Sequence, residues 1–273
     1  MIEERIQQQL REKYNPDGSD LRNMQLQLLD ILKEFDAICQ KHHIPYWLDS
    51  GTLIGAVRHG GFIPWDDDID VCVLLKDYRK LRKILVKELS VPYLFQDSKT
   101  DKTFHRAWAR ILNTDIVVER YIVPQKKTIR NYLWIDILPV EEGSVCVKRK
   151  VEKIYGRCYR RISGEIVDGY VKKWIARILA PFLVALISFL RCANKIFCSN
   201  TYIHRYGVEF YSSRKKTDVF PLVMLKFEGE YFHAPRDAHN YLSRIYHDYE
   251  TIPSEEEIET HGFVFNRNKD YNI

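Results

Sequence analysis

At 273 residues, with 45% hydrophobic and 29% charged side chains, the chain can bury one large core or a core with an elaborated insertion, and its composition is ordinary for a globular fold. The formal net charge of +5 is too small to imply nucleic acid as a partner. Six cysteines without a CxxC pair or a framework spacing argue against a disulfide scaffold and for reduced thiols in a cytoplasmic protein; MIEERIQQQLREK at the start lacks the apolar core of a signal peptide.

In chain order, the pattern predicts a short polar helix over residues 3–13, closed by the turn Asn15-Pro16-Asp17-Gly18. Ser19 or Asp20 caps a longer helix to about Lys41, whose Leu21, Met24, Leu28, Leu32, Phe35 and Ile38 recur at helical spacing and form core. His42-His43 at its end read as helix-end cations, since adjacent residues do not share a helix face. Tyr46-Trp47-Leu48 is a strand leading through Ser50-Gly51-Thr52 into an apolar helix that ends at Arg58-His59-Gly60-Gly61. Phe62-Ile63-Pro64-Trp65 is a bulky lead-in to a run of aspartates. A buried strand at 70–73 and a basic amphipathic helix at 76–89 follow. A strand pair is predicted at 107–112 and 115–118, then the apolar strand 132–139 with one charge, Asp136.

Chemistry concentrates between Asp49 and Val73. On an extended strand Asp66, Asp68 and Asp70 point to one face, and three carboxylates on one face repel each other unless a cation lies between them. Hard oxygen ligands at this spacing suit Mg²⁺, which completes its shell with water and substrate phosphates. A glycine turn that opens a helix, as at Ser50-Gly51-Thr52, presents free backbone N–H groups to an anion. A lone carboxylate in an apolar run is costly unless paired or metal-bound, and a third metal ligand is the preferred reading of Asp136 over an edge residue paired with water or arginine.

A glycine turn, an Asp-hydrophobic-Asp strand and a third aspartate on a later strand resemble the nucleotidyltransferase fold of the DNA polymerase beta type. The longer string GTLIGAVRHGGFIPWDDDIDV, with WIDILPV later, resembles the LicD family, which includes bacterial phosphorylcholine transferases and is related to fukutin and fukutin-related protein. The resemblance runs from about Leu21 to Leu138 and resumes in FEGEYFHAPRDAHNYLSRIYHDYETIP. Gly51-Thr52 stands where the polymerase-type turn usually has Gly-Ser or Gly-Gly, and Arg110-Ile111-Leu112 keeps only the first basic residue of a basic-hydrophobic-Arg triplet.

The resemblance implies an α+β fold, a mixed sheet flanked by helices, and a metal-dependent phosphotransferase. The donor would be a CDP-activated alcohol and the acceptor a sugar hydroxyl on a cell-surface glycan or a lipid-linked oligosaccharide. Asp68, Asp70 and Asp136 would hold Mg²⁺, with Mn²⁺ as the alternative, and Asp66 would complete or order the set. Asp136 would also accept the proton of the incoming hydroxyl. Ser50, Gly51 and Thr52 would cradle phosphate, and Arg58, His59 and Arg110 would supply positive charge. His261 stays outside this set, and His204, His233, His239 and His247 show no convergent partners in the sequence. The alternatives are a nucleotidyltransferase, a DxD-type glycosyltransferase and a non-catalytic binding protein.

Three regions are expected: a catalytic core at 1–140, a basic and partly apolar helical segment at 141–215, and a carboxy-terminal segment at 216–273 packing on the core. Between Ser144 and Ser199 there are 12 Lys or Arg against Glu152, Glu165 and Asp168, a net +9. Within it, residues 178–190 are an uncharged apolar run bounded by arginines, too short to cross a bilayer, which needs about 20 residues. It is either a buried helix or a segment embedded in an anionic membrane surface, and the basic flanks and Trp174 favour the membrane on the cytoplasmic face. The segment lacks the interleaved aromatic platform of a nucleic-acid binder.

Overall fold

A computed structural model describes residues 2–122, 127–153, 200–258 and 263–266, with Ile178, Phe182, Ala185, Leu186, 188–190, 192–194 and Ile196 between them. His261 and much of the basic segment lie outside the described residues. The architecture is α+β. An eight-stranded mixed sheet carries helices, and a separate two-stranded hairpin packs beside it.

Helix α1 (Glu4–Tyr14) precedes α2 (Asp20–Lys41), which Ser19 caps by accepting the Arg22 N–H at 3.2 Å. The predicted apolar stripe of α2 is core: Met24, Leu28, Leu32, Phe35 and Ile38 are all buried. Strand β1 (Tyr46–Leu48) pairs antiparallel with β2 (Asp70–Leu74), and β2 lies parallel to β5 (Lys127–Glu142). Between β1 and β2 come α3 (Ser50–Ile54) and a π-helical turn, Gly55–His59. Helix α4 (Leu75–Glu88) leads to β3 (Tyr93–Gln96), which pairs with β4 (Ala109–Ile122).

Two sequence expectations change here. The predicted strand pair at 107–112 and 115–118 is one strand, β4, and its partner is β5. The interruption read as a turn is an irregularity in the ladder between Asn113 and Val117, where the Asn113 side chain accepts the Asp115 N–H at 3.1 Å. Likewise, only Asp70 belongs to a strand; Asp66 and Asp68 precede it in irregular backbone.

Beyond β5, a helix at 145–153 (α5) is followed by β6 (Thr201–His204), β7 (Ser213–Lys215) and the short α6 (Lys216–Val219). Strands β8 (Val223–Phe227) and β9 (Glu230–Ala234) form the hairpin, α7 (Ala238–Tyr246) follows, and β10 (Phe263–Asn266) closes the sheet edge against β4. The hairpin turn anchors the core. Glu228, at φ 52°, accepts the Phe62 N–H at 3.0 Å and pairs with Arg22 at 2.7 Å, while its own N–H reaches the Gly60 carbonyl at 3.0 Å. A carboxy-terminal glutamate thereby sets the path of the loop that carries the aspartates. A side chain at Gly61 would meet the Glu228 carboxylate at 2.2 Å, which explains that glycine.

The apolar run at 178–190 is not a buried helix where it is described. Ile178, Phe182, Leu186 and Phe189 are helical and exposed. No described helix is long and apolar enough to cross a membrane.

Candidate active site

A cavity of about 690 Å³ opens at the start of β2, beside the turn that follows β1 and over Asp136 within β5. The sheet register places Asp70 directly beside Asp136 on the parallel neighbour, and Arg110 beside Asp136 on the next strand. Asp66 and Asp68 join them in the cavity wall, with Ser50 and Gly51 next to them. The four carboxylates that the sequence singled out therefore converge although only two of them lie on strands. Burial, followed by Asp68, Asp136, Asp49 and Asp66, pushes the Asp70 carboxyl well above the usual carboxylate range. Like charges this close disfavour full ionisation of the cluster.

Gly51 is required by close approach. A Cβ there would lie 2.7 Å from Asp66 Oδ2, so only glycine lets the α3 backbone meet this carboxylate. Ser50 adopts a left-handed conformation at φ 49°, unusual for a residue with a side chain. It is buried in the wall beside Tyr246, whose hydroxyl contacts it. Thr52 does not line the cavity. Its hydroxyl accepts the Asp70 N–H at 2.9 Å, so it fixes where β2 begins.

Asp136 is held from three sides. Trp108 Nε1 and Arg110 Nε donate to Oδ1 at 2.8 and 2.9 Å, and Trp134 Nε1 donates to Oδ2 at 3.1 Å. Arg110 also lies 4.1 Å over the Trp134 ring. Of about four lone-pair directions on a carboxylate, three are used, which leaves one on Oδ2 for a ligand. Arg110 is thus committed to orienting Asp136.

Arg58 and His59 are absent from the cavity wall. Arg58 is buried, and its guanidinium donates to the Tyr249 and Thr251 carbonyls at 2.7 and 3.0 Å and to His59 Nε2 at 2.9 Å. Burial and the Arg58 charge lower the His59 imidazole to about 3, so it is neutral. These two residues fasten the 249–251 loop to the π-helical turn, a use that sequence spacing does not reveal. Arg106 and His105 do line the cavity, Arg106 lying 5.1 Å over the Trp108 ring. They precede β4 in an irregular stretch without motif character, so the sequence carries no signal for them.

Behind the cavity lies a buried polar cluster. Asp49, at the start of α3, receives Arg214 at 2.9 and 3.3 Å, the Tyr241 hydroxyl at 2.6 Å and the Cys72 thiol at 3.1 Å. Burial opposes its ionisation, but the Arg214 charge and the hydrogen bonds from Tyr241 and Cys72 outweigh it and hold the carboxyl at about 2. His204 Nε2 sits 3.2 Å from Asp49 without a hydrogen bond, and burial and Arg214 keep the ring neutral. Asp49, Cys72 and His204 bring ligand-type atoms within 4.8 Å of one another. The fully buried Arg214 already supplies the positive charge, so this trio is a structural ion-pair site and a poor metal site.

The last wall is the segment Gly207–Phe210. Helix α5 holds it. Lys148 Nζ donates to the Val208 and Phe210 carbonyls at 2.5 and 3.0 Å, and Glu152 accepts the Gly207 N–H at 2.7 Å.

A strand-borne carboxylate pair, two further aspartates and the Ser50-Gly51 turn line one cavity, an arrangement in keeping with an enzyme of phosphate esters. Residues 43–161 match the family described as LicD/FKTN/FKRP, nucleotidyltransferase domain. It is 27% identical to the lipopolysaccharide cholinephosphotransferase LicD of Haemophilus influenzae, over 88% of this chain and 95% of that protein. A shorter stretch, 12% of this chain and 7% of the relative, is 53% identical to the human ribitol 5-phosphate transferase FKRP. The mouse ribitol-5-phosphate transferase FKTN shares 31% identity over 21% of this chain and 13% of its own length.

Proposed function

We propose that this protein is a metal-dependent phosphotransferase. It moves a phospho-alcohol, such as phosphorylcholine, from a CDP-activated donor to a sugar hydroxyl of a cell-surface glycan or lipid-linked oligosaccharide, on a nucleotidyltransferase-like core. The observation that carries the reading is the register of Asp70 beside Asp136, with Asp66 and Asp68 in the same wall. Two relatives named as transferases of phospho-alcohols supply the chemistry.

The carboxylate set fits a hard divalent ion, Mg²⁺ or Mn²⁺, because the like charges around Asp70 mark an excess of negative charge. Asp68 and Asp70 would hold it, with Asp66 braced against Gly51 and Asp136 beside them, its remaining Oδ2 lone pair kept for the acceptor hydroxyl. When bound, such an ion neutralises a diphosphate and stabilises the departing nucleotide. Ser50 and the Gly51 backbone position phosphate on the same side. Arg106 in the same cavity lining supplies the positive charge that Arg58 and Arg110 have committed elsewhere, and His105 offers a ring nitrogen beside it. Trp108, Trp134 and Arg110 keep Asp136 aimed at the acceptor hydroxyl, whose proton it accepts as the new P–O bond forms and CMP leaves.

The test is CMP release from CDP-choline and CDP-ribitol with Mg²⁺ and a glycan acceptor. Asp68→Ala should abolish it, and retained Mg²⁺-dependent turnover in that variant would sink the metal assignment. A donor labelled in both its alcohol and its cytidine separates phospho-alcohol transfer from nucleotidyl transfer by which label reaches the acceptor.

A further inference from the structure

The described residues between 178 and 196 are helical, and their apolar side chains follow a regular spacing. Ile178, Phe182, Ala185, Phe189, Cys192 and Ile196 succeed one another at intervals of four, three, four, three and four residues, which places all six on one narrow helical stripe. All six are exposed, Phe182 and Ile196 at 71% and Phe189 at 69%. Asn194 falls on the far side of the same wheel and is buried. Its side chain accepts the Ser144 N–H at 2.9 Å and donates to the Tyr206 hydroxyl at 3.3 Å. The helix is fastened to the domain by a polar residue and turns its apolar stripe outward, the reverse of a helix that packs on its own core.

Charge decides what covers the stripe. The surrounding sequence, residues 144–199, carries +9. Pairing two copies through it would bring like charges together, whereas an anionic lipid surface attracts each basic residue. We propose that the described helical residues between Ile178 and Ile196 belong to an interfacial membrane anchor, lying in the headgroup layer of an anionic bilayer with Phe182, Phe189 and Ile196 toward the acyl chains.

The anchor is joined to the cavity by contacts already described. Asn194 holds Ser144 at the entry to α5 and Tyr206 beside the pocket wall, and α5 in turn holds Gly207–Phe210 through Lys148 and Glu152. A docked helix therefore sets one wall of the cavity near the lipid surface, as transfer to a lipid-borne acceptor needs. That consequence rests on the proposed function; the docking itself does not.

Flotation of the full chain with vesicles tests it. Co-flotation is expected with phosphatidylglycerol–phosphatidylcholine vesicles and much less with phosphatidylcholine alone, and it should persist at moderate salt. Phe182→Ser/Phe189→Ser should lower co-flotation by roughly tenfold or more, as expected from removing two buried aromatic side chains. The same variant should leave Tm and CMP release with a water-soluble acceptor unchanged. Wild-type protein that stays with the dense fraction at every salt concentration would overturn the proposal. So would a concentration-dependent dimer in sedimentation that the double variant dissolves without any lipid binding, or a large drop in Tm for both this variant and Ile178→Ser/Ile196→Ser, which would mean a packed stripe. Flotation without any CMP release would leave the anchor standing and reject the catalytic reading alone.

Discussion

Asp49 and Asp70 sit at the facing ends of neighbouring strands, linked by the Asp49 N–H and the Asp70 carbonyl at 3.0 Å, yet their surroundings are opposite. Asp49 is enclosed by Arg214, Tyr241 and Cys72 and is held ionised, at about 2. Asp70 has carboxylates for neighbours and is pushed toward its protonated form by burial and by Asp68, Asp136, Asp49 and Asp66. The difference separates two uses of a withdrawn carboxylate. One whose countercharge is built into the chain is structural, and one whose neighbours are carboxylates is, under the proposed function, the place for a divalent cation.

The largest effect that would break this comparison is on catalysis. Asp70→Asn should lower CMP release by about 10³-fold or more, since charge stabilisation in such sites is worth several kcal/mol. Its Tm without metal should stay level or rise, because repulsion is relieved; a large fall in Tm would place Asp70 among the structural carboxylates.

Asp49→Ala should behave in the opposite way. It strands Arg214 in the interior, and urea unfolding should show a loss of about 3–5 kcal/mol. Asp49→Leu combined with Arg214→Met should recover much of that loss, because neither charge is then left unpaired.

Acid should reveal the same pair without mutation. The Asp49 value of about 2 lies below the ordinary 3.8, so its contribution is complete above pH 3.8 and is lost as pH falls through about 2. That loss is worth roughly 2 kcal/mol, and it should vanish from the unfolding curves of the Asp49→Leu/Arg214→Met protein.

The smallest effect concerns the far wall. Lys148→Met leaves the Val208 and Phe210 carbonyls without a donor and should cost about 1–2 kcal/mol, with KM for the donor rising more than kcat falls. Burial lowers the wild-type ammonium to about 8, below its usual 10.5, so its charge costs stability at neutral pH. The cost is relieved as pH climbs from about 8 to 10.5, and a pH series comparing Lys148→Met with the wild type should show the two stability curves diverge in that window.

Much of the frame was legible in the sequence because it obeys local rules. The α2 stripe repeats at helical spacing, Ser19 is a short polar cap, and Tyr46–Leu48 is a buried strand before a glycine turn. The aspartates were legible as a set because their density has no other cheap explanation, even though the backbone at Asp66 and Asp68 is irregular rather than extended. The strand pair expected around residues 107–118 was misread because a ladder irregularity and a turn use the same polar residues, Asn113 and Asp115.

What the sequence determined by itself was the family resemblance, the carboxylate set and the amphipathic elements, all written in neighbouring residues. The tertiary structure alone decided the partners. It gave Arg58 and His59 to the 249–251 loop, Arg110 to Asp136, and a place in the cavity wall to His105 and Arg106. It also joined Asp49 to Arg214 and Tyr241, 165 and 192 residues away. Spacing along a chain says which side chains share a helix face or a strand face. Which charge neutralises which depends on contacts made across the folded core, and the chain reaches those only once β1, β7 and α7 have packed together.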